Sequence, residues 1–230
     1  MSQIKQSAVR NRLLAALPAA DFERLAASLT PVTLSLKQFL VEADEPIGAA
    51  YFIETGIISY LNYLEGGEAL EIGLIGPEGM LVLPLILGVD RAPVGAMVQL
   101  KGVALRISPA ALRQAFDQGE ALRTKLLRYM QAFHIQVSQT AVCNSHHTLE
   151  ERLIRWLLMA HDRAGKDRFP MTHEFMSLML GVRRAGVTVT AGALKHADLI
   201  HCANGCVTVL DRPGCRGRSG ASGRAAGGAV

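Results

Sequence analysis

The sequence predicts an α+β chain: a small antiparallel β-barrel or jelly roll, then one long helix, then a helix–turn–helix closed by a β-hairpin. Three observations carry this. Between Pro31 and Leu105, short apolar runs alternate with Gly, Pro, Asn and acidic punctuation, the pattern of many short strands. From Ala110 to about Cys143 the punctuation stops and apolar residues recur every three or four positions, a helical rhythm broken only near Gly119. After Pro170, two short helical patterns meet at Gly181-Val182 and run into a hairpin with Asn204-Gly205 at its tip.

Each element has its own signal. Leu13, Leu14, Leu17, Phe22, Leu25 and Leu29 fit one face of a helix over Leu13–Leu29. Tyr51–Ile53, Ile57–Leu64, Leu70–Ile75, Ala96–Leu100 and Val103–Ile107 are the expected strands, with Glu65-Gly66-Gly67-Glu68 as a hairpin tip. Ser108-Pro109 starts a helix, serine as cap and proline at the first helical position. In the long helix, Leu126, Met130, Phe133, Val137 and Ala141 form an apolar seam opposite Lys125, Gln131, Gln136 and Gln139, which predicts pairing with a second copy. Asn144-Ser145-His146-His147 is a polar break and the expected hinge. Thr148 to Glu151 is a capping box opening the next helix. The tail from Pro213 is mostly Gly, Ala, Arg and Ser, resembles an out-of-frame read of GC-rich coding sequence, and is expected to be disordered. The modules expected are residues 1–117, 118–145, 146–212 and the tail 213–230.

Charge is uneven. Residues 1–117 carry net −3 and residues 118–230 net +7, an asymmetry that suits a polyanion partner for the C-terminal half. Four cysteines, all in the second half, imply no disulfide framework. No apolar leader opens the chain, and the longest apolar stretch, Gly79–Val89, is too short for a bilayer. A cytoplasmic, reducing setting without membrane contact is expected.

The helix pair after Pro170 carries the functional signal. Thr172 caps its first helix and Glu174 suits that helix's positive end. Phe175, Met176, Leu178, Met179 and Leu180 supply the buried side. Val187, Ala191, Leu194 and Leu199 face inward from the second helix, leaving Arg184, Thr188 and Lys195 outward. Two short helices at a small-residue turn, with Arg183 and Arg184 opening the second, suit insertion into the DNA major groove. The expected DNA-binding set is Thr172, His173, Arg183, Arg184, Thr188, Thr190 and Lys195. No paired catalytic carboxylates, metalloprotease signature or nucleophile elbow is present, and the glycines from Gly73 to Gly79 do not form a phosphate-cradling nucleotide-hydrolase loop. The chain is not expected to be an enzyme. His196, His201, Cys202 and Cys206, or Cys143 with His146 and His147, complete no known zinc motif, so no metal is expected.

Taken together, residues 13–212 resemble the Crp/Fnr family of bacterial transcription regulators. YFIETGII (Tyr51–Ile58) looks like the family's strand–glycine–strand signature. LIGPEGM (Leu74–Met80) and DRAPV (Asp90–Val94) sit where the family places its phosphate-binding cassette, LGVRRAGV (Leu180–Val187) where it has the turn and recognition-helix start, and Leu199–Leu210 where it has the wing. The resemblance implies a double-stranded β-roll sensor of the cyclic-nucleotide-binding type, a dimer helix and a winged helix-turn-helix. It also implies a homodimer that binds double-stranded DNA and RNA polymerase and responds to a small-molecule effector. The implied effector set is Gly76, Glu78, Gly79, Arg91, Ala92 and Ser138. Departures argue against a cyclic nucleotide: Pro77 rather than Gly precedes Glu78, and Ala92 after Arg91 removes the hydroxyl donor to the phosphate. Residues 1–142 contain no Cys, which rules out the family's sensor iron–sulfur cluster. Residues 1–133 contain no His, which removes the usual haem ligands from the β-roll; His134 is the nearest candidate, and a solvated or packed helix histidine is the simpler reading of it. In the recognition helix Arg183, Ala185 and Val189 stand where relatives often have Ser/Thr, Glu and a second Arg. Arg184 remains as a reader of guanine, with Ala185 or Val189 suited to a thymine methyl. The other reading is a cyclic-nucleotide-binding signalling module acting through protein contacts.

Overall fold

The structure, a computed structural model, describes residues 4–66 and 69–220. The chain divides into two compact units. Of the described residues, one takes 4–60 and 75–134, the other 61–66, 69–74 and 135–220.

The first unit opens with two short helices, α1 (Arg12–Ala15) and α2 (Ala19–Ala26). The sequence predicts one helix here. Pro18 divides it, because proline has no N–H to donate and its ring crowds the carbonyl four residues back. All six predicted apolar residues are nevertheless buried. Asn11, fully buried, caps α1: its Oδ1 accepts from the Leu14 amide at 3.2 Å, and its Nδ2 donates to the carbonyls of Ile53 and Gly79 at 3.0 and 2.8 Å.

Strands β1 (Thr30–Leu34), β2 (Phe39–Val41), β3 (Ala50–Tyr63), β4 (Ala69–Ile75), β5 (Met80–Leu81) and β6 (Gly95–Ile107) form an antiparallel sheet ordered β1-β6-β3-β4, with β2 on β6 and β5 on β3. Four of the expected strands merge into two, β3 and β6. Gly56, at φ +93°, and Gly102 let these strands pass at backbone contact. A Cβ on Gly102 would lie 1.9 Å from the Thr55 carbonyl oxygen, and one on Gly56 2.5 Å from that of Leu100. A glycine that punctuates a sequence pattern therefore bends a strand here without ending it. Gly67 and Glu68 of the predicted tip lie outside the described residues. The core of this unit is Phe52, Ile53, Ile57, Ile58, Ile75, Met80, Leu81 and Val98, closed by Leu112 of α3 (Pro109–Gln118). Ser108 caps α3 through the Ala111 amide at 3.3 Å.

Helix α4 (Glu120–His146) begins in the first unit, where Leu122, Leu126, Tyr129 and Phe133 are buried and Phe133 meets Tyr60 edge-on at 5.4 Å. The expected seam therefore needs correction. Leu126 and Phe133 are spent inside their own subunit, Met130 and Val137 are half-buried, and only Ala141 is exposed. The large apolar residues that α4 exposes are Leu127, Ile135 and Val142. The strongest apolar stripe faces the subunit's own core, and a second stripe, less obvious in the sequence, faces outward.

The second unit contains residues 61–66 and 69–74, the rear of α4, and α5 (Leu149–Ala164), β7 (Arg168–Pro170), α6 (His173–Leu180), α7 (Arg184–His196), β8 (Ile200–Ala203) and β9 (Cys206–Val209). The strands form a sheet ordered β7-β9-β8. The capping box forms: the Thr148 amide donates to Glu151 Oε2 at 2.8 Å, and the Glu151 amide to Thr148 Oγ1 at 3.4 Å. The break expected at residues 144–147 is shorter, because α4 continues through His146. The expected disorder from Pro213 also needs correction, since Arg212–Arg218 is a helix, α8. Asp211 caps it through the Gly214 amide at 2.9 Å, Cys215 is buried, and Arg212 and Arg218 pair with Asp162 and Glu150 of α5. Packing on α5 supplies what composition lacks. Residues 221–230 lie outside the described residues.

Candidate nucleic-acid interface

Thr172 starts α6 by accepting the Phe175 amide at 3.1 Å. Met176, Met179 and Leu180 turn inward, whereas Leu178, expected inside, is 45% exposed. Gly181 ends the helix at φ +63°, with its amide on the Leu178 carbonyl and that of Val182 on Ser177. This left-handed stop reverses the chain in two residues. Arg183 is the N-terminal flanking residue of α7 and makes no side-chain cap, so its guanidinium is uncommitted.

Val187, Ala191 and Leu194 bury the inner stripe of α7. On the outer stripe Arg184, Ala185, Thr188 and Val189 are exposed, Val189 by 74%. Among the described residues no acid pairs with Arg183, Arg184 or Lys195. The structure brings Thr172, His173 and Thr188 together: His173 Nδ1 lies 3.1 Å from Thr188 Oγ1, which itself donates to the Arg184 carbonyl at 3.1 Å. The single Thr188 hydroxyl proton goes to the helix backbone, so in that contact the His173 ring nitrogen is the donor. Thr188 is exposed, and its hydroxyl braces α7 against α6. Thr190 is half-buried beside this stripe, and Lys195 is exposed in the last turn.

The hairpin β8–β9 turns at Asn204 and Gly205, at φ +52° and +68°. The Gly205 carbonyl accepts from the Met171 amide at 2.7 Å, which holds the hairpin tip beside Thr172. Ala203 pairs with Cys206 and Cys202 with Val207, so the two thiols point to opposite faces and cannot share a metal ion or a disulfide. Burial pushes the Cys202 thiol up, partly offset by Lys195.

No sequence signal marks Arg152. Its Nη2 donates to the Leu180 carbonyl at 2.6 Å and its Nε to Asn144 Oδ1 at 3.0 Å, tying the end of α6 to the end of α4. These partners lie 28 and 8 positions away, and only the fold brings them together.

Within the first unit, the implied effector residues form no convergent cluster of free donors. The Gly76 amide is taken by Glu78 Oε1, the Pro77 carbonyl by the Arg12 amide and the Gly79 carbonyl by Asn11. Tyr129 fills the space over Gly79, where a Cβ would stand 2.1 Å from its hydroxyl. Arg91 is exposed and donates to the Asp44 carbonyl at 2.7 Å, Ala92 is buried, and Ser138 is exposed on α4 in the other unit. These residues do not fit a cyclic phosphate, which needs several inward donors converging on one point. Among the described residues no cluster of three metal-ligating side chains occurs, and no helix is long and apolar enough to cross a membrane.

Residues 151–216 match the family model of the Crp-like helix-turn-helix domain. No curated protein matches the chain. Among solved structures, FixK2 from Bradyrhizobium japonicum superposes with a TM-score of 0.72 at 16% identity, over 84% of this chain and 98% of that one. A Crp-family transcriptional regulator from Thermus thermophilus gives 0.70 at 18% identity, over 85% and 100%. The c-di-GMP-responsive global regulator CLP of Xanthomonas campestris gives 0.68 at 14%, over 84% and 100%. The fold is that of Crp/Fnr transcriptional regulators, as the sequence motifs imply.

Proposed function

We propose that this chain, which carries a Crp-like helix-turn-helix domain at residues 151–216 on the fold of the Crp/Fnr regulators, is a homodimeric transcription regulator that reads a near-palindromic DNA operator in the cytoplasm. The observation that carries this reading is the outer stripe of α7: Arg184 exposed and without an acidic partner, flanked by Ala185, Thr188 and Val189. A guanidinium there suits bidentate recognition of guanine O6 and N7, and the apolar neighbours suit thymine methyl groups. Arg183, Lys195, Thr172, His173 and Thr190 ring the stripe and serve phosphates and register. Two copies paired along the exposed side of α4, through Leu127, Ile135 and Val142, place two such helices in successive major grooves. RNA polymerase is the protein partner that the family resemblance implies. Control by a small-molecule effector remains part of the reading, but not through a cyclic phosphate at Gly76, Glu78, Gly79 and Arg91.

Selection of bound fragments from a random duplex pool by the purified full chain tests this. An inverted repeat is expected, its half-sites about 34 Å apart centre to centre. Failure to enrich any sequence at moderate ionic strength overturns the reading.

A further inference from the structure

Residues 61–66 and 69–74, at the far ends of β3 and β4, group with the helix-turn-helix unit although both strands belong to the first unit's sheet. Three contacts fix the β4 part there. The Trp156 indole of α5 donates to the Glu71 carboxylate at 2.5 Å, with Glu71 and Trp156 each 5% exposed. Gln136 clasps the Leu74 backbone, accepting its amide at 3.0 Å and donating to its carbonyl at 3.1 Å. Leu70 presses on the turn between α6 and α7: a Cβ on Gly181 would lie 2.8 Å from Leu70 Cδ1. The adjoining Arg155, more than half buried, donates to Thr140 at 3.3 Å. Burial draws its guanidinium down, and the nearby Arg163 adds to this while Glu71 opposes it.

We propose that the first part of β4, from Leu70 to Leu74, is a latch that holds the Gly181 turn, and with it the start of α7, in the attitude that reads bases, with the Glu71–Trp156 bond as its catch. The proposal rests on the DNA-reading function above and names how that reader is positioned. A carboxylate accepting an indole N–H out of water is a charge-assisted bond, and undoing it leaves the buried Trp156 N–H without its acceptor. The latch is therefore either closed or open, with little between. Closed, Leu70 backs the turn from which Arg183 and Arg184 emerge. Open, the turn loses that support. Glu71 touches no DNA and acts through Trp156 and the turn, so it is a positioning residue. Base reading depends on a fixed helix attitude, whereas attraction to phosphates does not, so the latch controls selectivity more than gross affinity.

The test uses the full chain with Glu71→Ala, Glu71→Gln and Leu70→Ala. Trp156 is the only tryptophan, so its emission reports the catch directly. In Glu71→Ala, amides from residue 177 to 187 should exchange about tenfold faster, emission should shift red, and operator affinity should fall about tenfold with random-duplex affinity unchanged. Glu71→Gln keeps an acceptor oxygen and should restore all three. Leu70→Ala should speed the same amides while leaving Trp156 emission as in the parent, which keeps the test decisive should Glu71→Ala fail to fold. Parental exchange at residues 177–187 in both alanine variants overturns the proposal. So does acceleration spread evenly over the chain, equal loss on operator and random duplex, or a gain in operator affinity. Exchange and emission are read without DNA, so failure of the parent to select any duplex sinks the functional reading and leaves the latch to be judged separately.

Discussion

At the scale of single residues, the roles on α7 separate by what each side chain has left to give. Arg184 has its whole guanidinium, Thr188 has spent its proton on the Arg184 carbonyl, and Val189 has only a methyl pair to offer. Arg184→Ala should therefore weaken operator binding by about 1–3 kcal/mol and relax preference at one base pair in each half-site. Binding measured against single-base operator variants checks this, and unchanged selectivity would contradict it. Arg183 and Lys195 sit at the two ends of the same helix without acidic partners. Their alanine variants should weaken all duplexes alike and lower the slope of log affinity against log salt by about 1 for each phosphate no longer neutralised. A residue that changes selectivity and a residue that changes the salt slope are then distinguished by one titration series.

At the scale of elements, the starts and stops were legible and the long-range partners were not. Ser108, Thr148 and Thr172 cap helices, Gly181 stops one, and Asn204-Gly205 turns a hairpin, all as read from sequence, because each acts on a backbone group within a few positions. The merging of strands at Gly56 and Gly102, the docking of α8 on α5 and the closure of the Gly76–Gly79 turn by Asn11 and Arg12 depend on partners distant in the chain, and no local pattern encodes them. The candidate interface was visible because a helix–turn–helix is itself local, whereas the effector set was carried over by motif and fails on the direction in which Arg91 points. The capping box of α5 supports a prediction of its own. Hydrogen bonds from the Thr148 hydroxyl and amide hold the Glu151 carboxyl below its usual range, opposed slightly by burial and aided by His147. A lowered folded value means stabilisation that is present above the unfolded carboxyl range and is lost as pH falls through the folded value. Thermal melts from neutral pH into the acid range should show that loss, and Glu151→Gln should flatten this component. Thr148→Ala should cost about 0.5–2 kcal/mol at neutral pH.

At the scale of the whole molecule, two properties decide whether the chain behaves as a regulator: what it senses and whether it pairs. The Gly76 amide and one Arg91 nitrogen already bond inside the chain, and Ala92 supplies no hydroxyl, so millimolar cyclic AMP or cyclic GMP should leave both the melting temperature and operator affinity unchanged, since a ligand stabilises only what it binds. Heat evolved on titration of either nucleotide would contradict this. Pairing is sharper to test, because α4 has one apolar stripe buried in its own subunit and a second, exposed one that we propose pairs the copies. Leu126 is fully buried in its own subunit, and Leu126→Ala should cost about 2–5 kcal/mol of stability while the mass in solution remains that of a dimer. Ile135 and Val142 are 49% and 51% exposed. Their replacement by Glu removes no subunit core but sets like charges face to face across a two-fold axis, where each residue meets the same stripe of its partner. The Ile135→Glu, Val142→Glu chain should melt as the parent subunit does, scatter light as a monomer, and lose the inverted-repeat preference. Each half-site is then bound alone, and the gain from tethering the second reader disappears. A dimer that survives both glutamates, or a monomer produced by Leu126→Ala alone, would return the interface to the buried stripe and take the orientation of the two recognition helices with it.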